Sequence, residues 1–517
     1  MTLTLPALLA RGATLSLLLL MSGCYWENWT KTESVEPEYL VQPESAAQLV
    51  DYVGRASRAG KRVRMTGSGH SASEVAITRD VMFTPEKLNK PLTLDRNRLK
   101  NANDPTLARV MSGIRVRDLN AFLDAKGRAL INMGGYDGQT IAGVMMTATH
   151  GSGLAYGPMA DQIVSLQVVG ERGRMIQIEP ANGITNPATW PGYLEENRNI
   201  AVELIQDDNA FNAARVAIGS MGVVYAVTLK TDRKFWLREK RWKTTWEELS
   251  APGGAIERLI AGLPVYADRP SPEHWELQYS PYATKDGTHS VLVTERYRSY
   301  TPLPEQPQSQ RGQPGTEFVS GLITLFEKPL AWILSTIPSL APTILETTLD
   351  TQQDDDFTNV SYRVFNIGVV NYTDAIAIEA AFDIRDTVAG IERSFSLAES
   401  MLARGIPHTG PIAVRFVKST NNFIAMQQGR NSMFMEVIML ADTRGAQDLL
   451  KTYQRTMRDE FSARPHWGLD LKLLQSSAEA SALYPKWNDW ITQFRRFNQG
   501  TFDGKVTDRL GISVRPR

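Results

Sequence analysis

The sequence predicts an α+β protein of two domains, and three observations carry that prediction. The chain has 517 residues, 42% of them hydrophobic, which is enough to bury more than one core. Its first half mixes helical and extended patterns around two stretches crowded with glycine, Arg64 to Glu74 and Asn132 to Gly153. Its second half carries runs of alternating hydrophobicity, "HWELQYSP", "SVLVTERY" and "MFMEVIML", which read as an antiparallel sheet covered by helices. The predicted divisions are a leader over 1–23, a polar tether over 24–41, a first domain over 42–233 and a cap domain over 234–517.

Lysine plus arginine equals aspartate plus glutamate at 56 each, with no long block of either sign, so a nucleic-acid partner is not expected. No cluster with zinc-ligand spacing is present. The first residues read as a targeting segment: Arg11, an apolar run from Ala13 to Met21, then Met21-Ser22-Gly23-Cys24. The run is too short to span a bilayer, and small residues precede the cysteine. This resembles the bacterial lipobox, in which the cysteine carries lipid as the first residue of the mature protein. The alternatives are a plain signal peptide and a retained anchor. Cys24 is the only cysteine in the chain and so has no partner for an intramolecular disulfide. The lipid reading implies a bacterial cell-envelope location, anchored to a membrane, with the globular part outside the cytoplasm.

In order, Pro43 is expected to open a helix with Ala46, Leu49, Val50 and Val53 on one face, closed by Gly60. A strand over Arg62 to Met65 delivers Gly67-Ser68-Gly69-His70-Ser71. A second strand, Ala108 to Met111, leads to a helix with Val116, Leu119, Phe122 and Leu123 inward and Gly127 as its stop. A hairpin follows, Ile163 to Val169 and Met175 to Ile178. Then come a helix over Asn212 to Ile218, a turn through Gly219 and Gly222, and a strand over Val223 to Leu229. Glycine clusters let a bulky diphosphate approach backbone amides closely. The two stretches are therefore read as two walls of one flavin site. The G-x-G-x-x-G pattern of a nicotinamide-binding Rossmann fold is missing.

"RMTGSGHS", "GGYDGQTIAGVMMTATHGSG" with "YGPMADQIVSLQVV", and "FNAARVAIGSMGVVYAVTL" resemble, in order and spacing, the FAD-binding domain of the vanillyl-alcohol oxidase family. Within it they are most similar to the aldonolactone oxidase group, which includes gulonolactone and arabinonolactone oxidases. The resemblance covers nearly all of Pro43 to Lys230, and an extra segment at Ala181 to Ala201 reads as a surface loop. It implies a two-part FAD-binding domain of the PCMH type followed by the α+β cap. It also implies that Gly67, Ser68, Gly69 and Ser71 bind the FAD diphosphate, and that His70 sits where members of the family tether the flavin covalently. A histidine that only hydrogen-bonds a loop carbonyl is the alternative. In the family, the position matching Gly134 flanks the reactive edge of the ring, and the resemblance implies that glycine there leaves room for dioxygen. The remaining candidate cofactor contacts are Gly135, Thr140, Gly143, Thr147, Thr149, His150 and Gly151, with Gly222 and Val223 on the later turn.

In the cap, Thr301 to Gly315 is proline- and glutamine-rich and expected to be mobile as a loop over 301–317. Phe318 to Leu345 is apolar but broken by Pro329, Pro338 and Pro342, so it reads as two short helices that pack the cap or touch lipid or a greasy substrate. Family members carry a glutamate and an arginine two residues apart on one strand. Here "GPIAVRFVKS" keeps Arg415 but has Ala413 in place of the acid. The family's "HWGK" is "HWGLDLK", with Leu469 where the lysine stands and Lys472 three residues later. His466 is then the candidate base, with Glu379 behind it, and a supporting role for His466 and Trp467 as a stacked pair stays open.

The expected function is oxidation of a CH–OH group on a sugar lactone or polyol, with hydride passing to FAD and electrons to dioxygen or an envelope acceptor. The alternatives are an oxidase of a less polar secondary alcohol and an inactive flavoprotein that serves as a binding module.

Overall fold

The computed structural model describes residues 25–307, 329–367 and 375–515. The leader over 1–23, Cys24 and residues 308–317 of the expected loop lie outside the described residues. No helix among the described residues is long and apolar enough to cross a membrane.

The first half is built on two sheets. A three-stranded parallel sheet sets Val81–Phe83 between Tyr39–Val41 and Val63–Met65. The Ala46–Arg58 helix covers it. Its N-cap is Ser45, whose Oγ accepts from the Gln48 amide, so the helix begins after Pro43 at the first side chain able to cap it. Beyond it lies a six-stranded sheet with Val223–Lys230 between Ile163–Val169 and Leu107–Met111. The predicted hairpin is there as an antiparallel pair, Ile163–Val169 against Met175–Glu179. The helix expected at Asn212 to Ile218 lies earlier, at Asp208–Ala214, because Asp207 caps the Asn209 and Ala210 amides. Arg109, on the Leu107–Met111 strand, is buried and binds Glu195 at 2.7 Å, which pins the extra Ala181 to Ala201 segment to this sheet.

Asp232–Arg233 still pairs with Arg128–Ala129, and the chain then enters an eight-stranded antiparallel sheet at Trp236–Thr245. The three predicted alternating runs are its strands His274–Tyr279, Ser290–Ser299 and Ser432–Leu440. Because side chains alternate across a strand, the sheet has two unlike faces. Leu277, Val414, Met435 and Ile378 pack under the Thr387–Ala403 and Ala446–Phe461 helices. Glu276, Arg415, Glu436 and Glu379 point the other way.

Three segments depart from expectation. Residues 26–41 are not a free tether: Trp26–Glu27 pairs with Ser34–Val35, and Tyr39–Val41 joins the parallel sheet. The start of the expected mobile loop is held, since the Gln306 amide donates to Thr358 O at 3.0 Å and Thr358 Oγ1 donates to Pro304 O at 2.6 Å. The end of the chain returns to the first half. The Val63 amide donates to Thr501 O at 2.7 Å, and Arg62 binds Asp508 at 2.6 Å. Residues 329–336 and the Ala341–Thr351 helix are the two short helices, broken at Pro338 as the prolines require.

Candidate active site

The two glycine stretches meet. A cleft is walled by Gly67 and Ser71 from the first, Thr140, Gly143 and Thr147 from the second, and Gly222 and Val223 from the later turn. Gly67 has φ +59, and a Cβ there would stand 3.1 Å from Thr140 Oγ1, so only a residue without a side chain fits this crossing comfortably. Thr140 Oγ1 accepts from the Gly143 amide at 3.2 Å and fixes the start of the Ile141–Met146 helix. Two non-glycine residues beside the cavity hold left-handed backbone, Ala148 at φ 56 and Ile218 at φ 46, a local strain that clusters at functional sites.

The wall fits the diphosphate of FAD on the chemistry of its own donors. Arg64 Nε and Nη2 and Ser112 Oγ are buried without a hydrogen-bond partner, and both residues line the cavity. Buried donors left unpaired are costly, so Ser112 Oγ marks where an acceptor belongs, while Arg64 Nε and Nη2 lie against Gly504 and Arg64 lends the wall its charge. Arg64 Nη1 is held by Gly219 O at 2.8 Å. Burial lowers the guanidinium to about 10, which still leaves it charged at neutral pH. Neither Arg64 nor Ser112 was picked out from the sequence. The signal for Arg64 was a cation at the end of a strand that runs into a glycine loop.

Ser68, Gly69 and His70 do not line this cavity. The His70 ring lies between Trp29, with centroids 5.2 Å apart, and Tyr136, at 4.7 Å. Burial, helped by the charge of Arg115, lowers His70 to about 4, so the ring is neutral at pH 7. No hydrogen bond to a loop carbonyl holds it among the described residues, which leaves its nitrogens available.

Gly134, Gly135, Thr149, His150 and Gly151 lie toward the cap. A Cβ on Gly151 would come within 2.4 Å of Met133 O, and one on Gly134 within 3.3 Å of His150 O, so the two ends of the second stretch run against each other. One on Gly135 would meet the Ile367 side chain at 3.2 Å. His150 Nδ1 donates to Gly151 O at 2.9 Å, which turns Nε2 toward Glu379 Oε2 at 3.5 Å.

Above this floor the cap sheet presents four charged side chains. Ala413 stands directly opposite Glu436, Arg415 opposite Glu276, and Glu379 opposite Glu436. Arg415 Nη1 lies 3.6 Å from Glu436 Oε2 and 3.9 Å from Glu379 Oε1. The acid missing at Ala413 is therefore supplied from the neighbouring strand. Burial raises Glu436 to about 6, reinforced by the charge of Glu379 and opposed by Arg415. Burial pushes Glu379 in the same direction, but His150, His466 and Arg415 outweigh it and hold the carboxyl below its usual range. Glu436 keeps 21% of its side chain exposed against 7% for Glu379, so of these two Glu436 is the more open to a substrate. The sequence signal for Glu436 was a single acid inside the apolar run "MFMEVIML".

His466 is brought to this cluster but is poorly placed as a base. Its Nδ1 accepts from the Gly468 amide at 3.0 Å, so in the neutral ring Nε2 carries the proton and can only donate. Burial lowers it to about 4. Trp467 faces away and stacks on Tyr484, with centroids 5.3 Å apart, so the two do not form a stacked pair. Lys472 is exposed and does not replace the lysine absent at Leu469. The ligating atoms of His150, Glu379 and His466 lie within 4.8 Å of one another, a spacing that could hold a metal ion. The bond accepted at His466 Nδ1 leaves no lone pair on that ring in its neutral form, whereas His150, with Nδ1 donating, offers Nε2 as an acceptor.

Comparison with known proteins agrees with this geometry. Residues 37–179 match a family described as FAD binding domain, and residues 227–504 match one described as D-arabinono-1,4-lactone oxidase. The chain is 27% identical over 471 residues to L-gulono-1,4-lactone dehydrogenase of Mycobacterium tuberculosis, covering 90% of this chain and 93% of that one. It is 24% identical over 457 residues to L-gulonolactone oxidase of Mus musculus, covering 86% and 89%. Among solved structures, cholesterol oxidase from B. sterolicum shares the fold with a TM-score of 0.72 at 14% identity, covering 94% of this chain and 96% of that one.

Proposed function

Because the chain belongs to the D-arabinono-1,4-lactone oxidase family, we propose that it is an FAD-dependent oxidoreductase that oxidises a CH–OH group of a sugar lactone. When bound, FAD supplies the acceptor for the hydride. The residues of the chain supply binding, orientation and the path of the proton. Arg64, Ser112 and the backbone around Gly67 and Gly143 hold the diphosphate. Arg415 donates to the substrate hydroxyl and stabilises negative charge as it develops on that oxygen. The Glu436 carboxylate takes the hydroxyl proton, and its raised position near 6 suits a base that works around neutrality. The Glu379 carboxylate, beside His150, fixes the charge behind Arg415. The cap sheet covers the site and excludes water.

The observation that carries this reading is Glu436 facing Ala413 beside Arg415, which restores an acid and arginine pair from two strands. It also removes one of the three reasons for expecting a less polar alcohol; Leu469 and the apolar segment from Phe318 to Leu345 are the others. The neutral, unbonded ring of His70 supports a covalent flavin tether. Dioxygen or an envelope carrier receives the electrons, and lipid on Cys24 holds the protein at a membrane of the bacterial envelope. The test is anaerobic mixing of the yellow protein with D-arabinono-1,4-lactone or L-gulono-1,4-lactone. Bleaching of the flavin band is expected; a bound flavin that dithionite reduces and neither lactone does would count against the proposal.

A further inference from the structure

The segment after Cys24 is bound directly to the loop that carries His70. Asn28 Nδ2 donates to Ser71 O at 2.9 Å, the Trp29 amide donates to Gly69 O at 2.9 Å, and Thr32 Oγ1 donates to Ala72 O at 2.9 Å. The Trp29 ring stacks on His70. From Cys24 to Asn28 the chain is four residues long, a reach of at most about 14 Å even when fully extended. Whatever holds Cys24 therefore holds the His70 loop close beside it.

The same hairpin exposes aromatic rings at its surface. Tyr25 is 58% exposed and Trp29 43%, with Lys31 at the turn also on the surface. Tyrosine and tryptophan, apolar in body and polar at one end, concentrate at the boundary between lipid and water. We propose that Tyr25, Trp29, Thr30 and Lys31 form the face by which this protein lies on a lipid bilayer, with the His70 loop directly behind it. The proposal rests on the reading of Cys24 as the lipid-bearing residue: the chain outside the described residues ends at that position, next to Tyr25, after an apolar run from Ala13 to Met21. A second apolar patch, Trp332 at 68% exposure with Ile337 and Leu340, is the rival face. It is the natural comparison.

Acylation consumes the thiol of the only cysteine, so a cysteine introduced elsewhere in the mature protein is the one free thiol. The lipid-bearing protein, reconstituted in phosphatidylethanolamine–phosphatidylglycerol vesicles, would carry a nitroxide at Thr30→Cys or, separately, at Trp332→Cys. Relaxation by dioxygen, which enters the bilayer, is compared with relaxation by a water-soluble nickel chelate. The label at position 30 should favour dioxygen several-fold more than the label at 332. Trp29→Cys gives the same reading should the first variant fold poorly. A position 30 label as open to nickel as in vesicle-free protein, or a deeper label at 332, overturns the docking face and leaves the anchor standing. An unmodified Cys24 in the mass of the N-terminal peptide overturns the anchor and this proposal together.

Discussion

Ala413 and Glu436 face each other across two antiparallel strands, and this pairing places a carboxylate 3.6 Å from Arg415 where the arginine's own strand has none. A cross-strand position is equivalent in space to a neighbour on the same strand, because directly opposed Cβ atoms lie about 5 Å apart. A function that needs an acid beside an arginine can therefore move from one strand to the next without a change in the fold.

Glu436→Gln keeps the shape of the side chain and removes the base. The turnover number should fall about 10²- to 10⁴-fold with lactone substrates, while KM changes little. Adding Ala413→Glu to that variant should return part of the loss, since it puts the acid back on the arginine's strand. Steady-state kinetics of the single and double variants checks both.

The pH profile follows from the raised position of Glu436. Above about pH 6 the carboxylate is ionised and can accept the proton, so activity should rise with pH through that value. Glu436→Gln should lose this limb.

Stability should move the opposite way. A carboxyl raised in the folded state favours folding below its unfolded value, near 4.5, and that contribution is lost as pH rises through about 6. Glu436→Gln should therefore melt at a higher temperature than the parent at pH 8, by the equivalent of about 1–2 kcal/mol, and show little difference at pH 4.5. Paired melting curves at the two pH values check the sign.

Two changes, one on the His70 loop and one at the cavity wall, separate tether from cradle. His70→Ala should still purify yellow but release its colour to the supernatant on acid precipitation, whereas the parent keeps colour in the pellet. Arg64→Met should weaken retention of flavin by removing a positive charge from the cavity wall. Flavin absorbance per protein, before and after precipitation, reads both.

What was legible in the sequence was local. Alternation gave the strands His274–Tyr279 and Ser432–Leu440, and the hairpin at Ile163–Val169 followed from a turn between two extended runs. Gly67 and Thr140 were marked for one cleft by composition, and the structure brings them within contact. What was not legible depends on register and on distant pairing. Glu436 gains its place only once its strand is aligned against Ile412–Val417, and nothing near it in the chain states that alignment. The weakness of His466 as a base was hidden for a related reason: its Nδ1 lone pair is taken by the Gly468 amide, a contact made by backbone geometry. The hairpin at Trp26 to Val35 was read as a tether because two-residue strands leave no periodicity to find.

The most direct test is anaerobic stopped-flow reduction of the bound flavin by a sugar lactone, in the parent and in Glu436→Gln side by side. Rapid bleaching in the parent and bleaching slowed at least about 100-fold in the variant is the predicted result. Equal rates in the two, or no bleaching of a flavin that dithionite reduces normally, would contradict the assignment of this site.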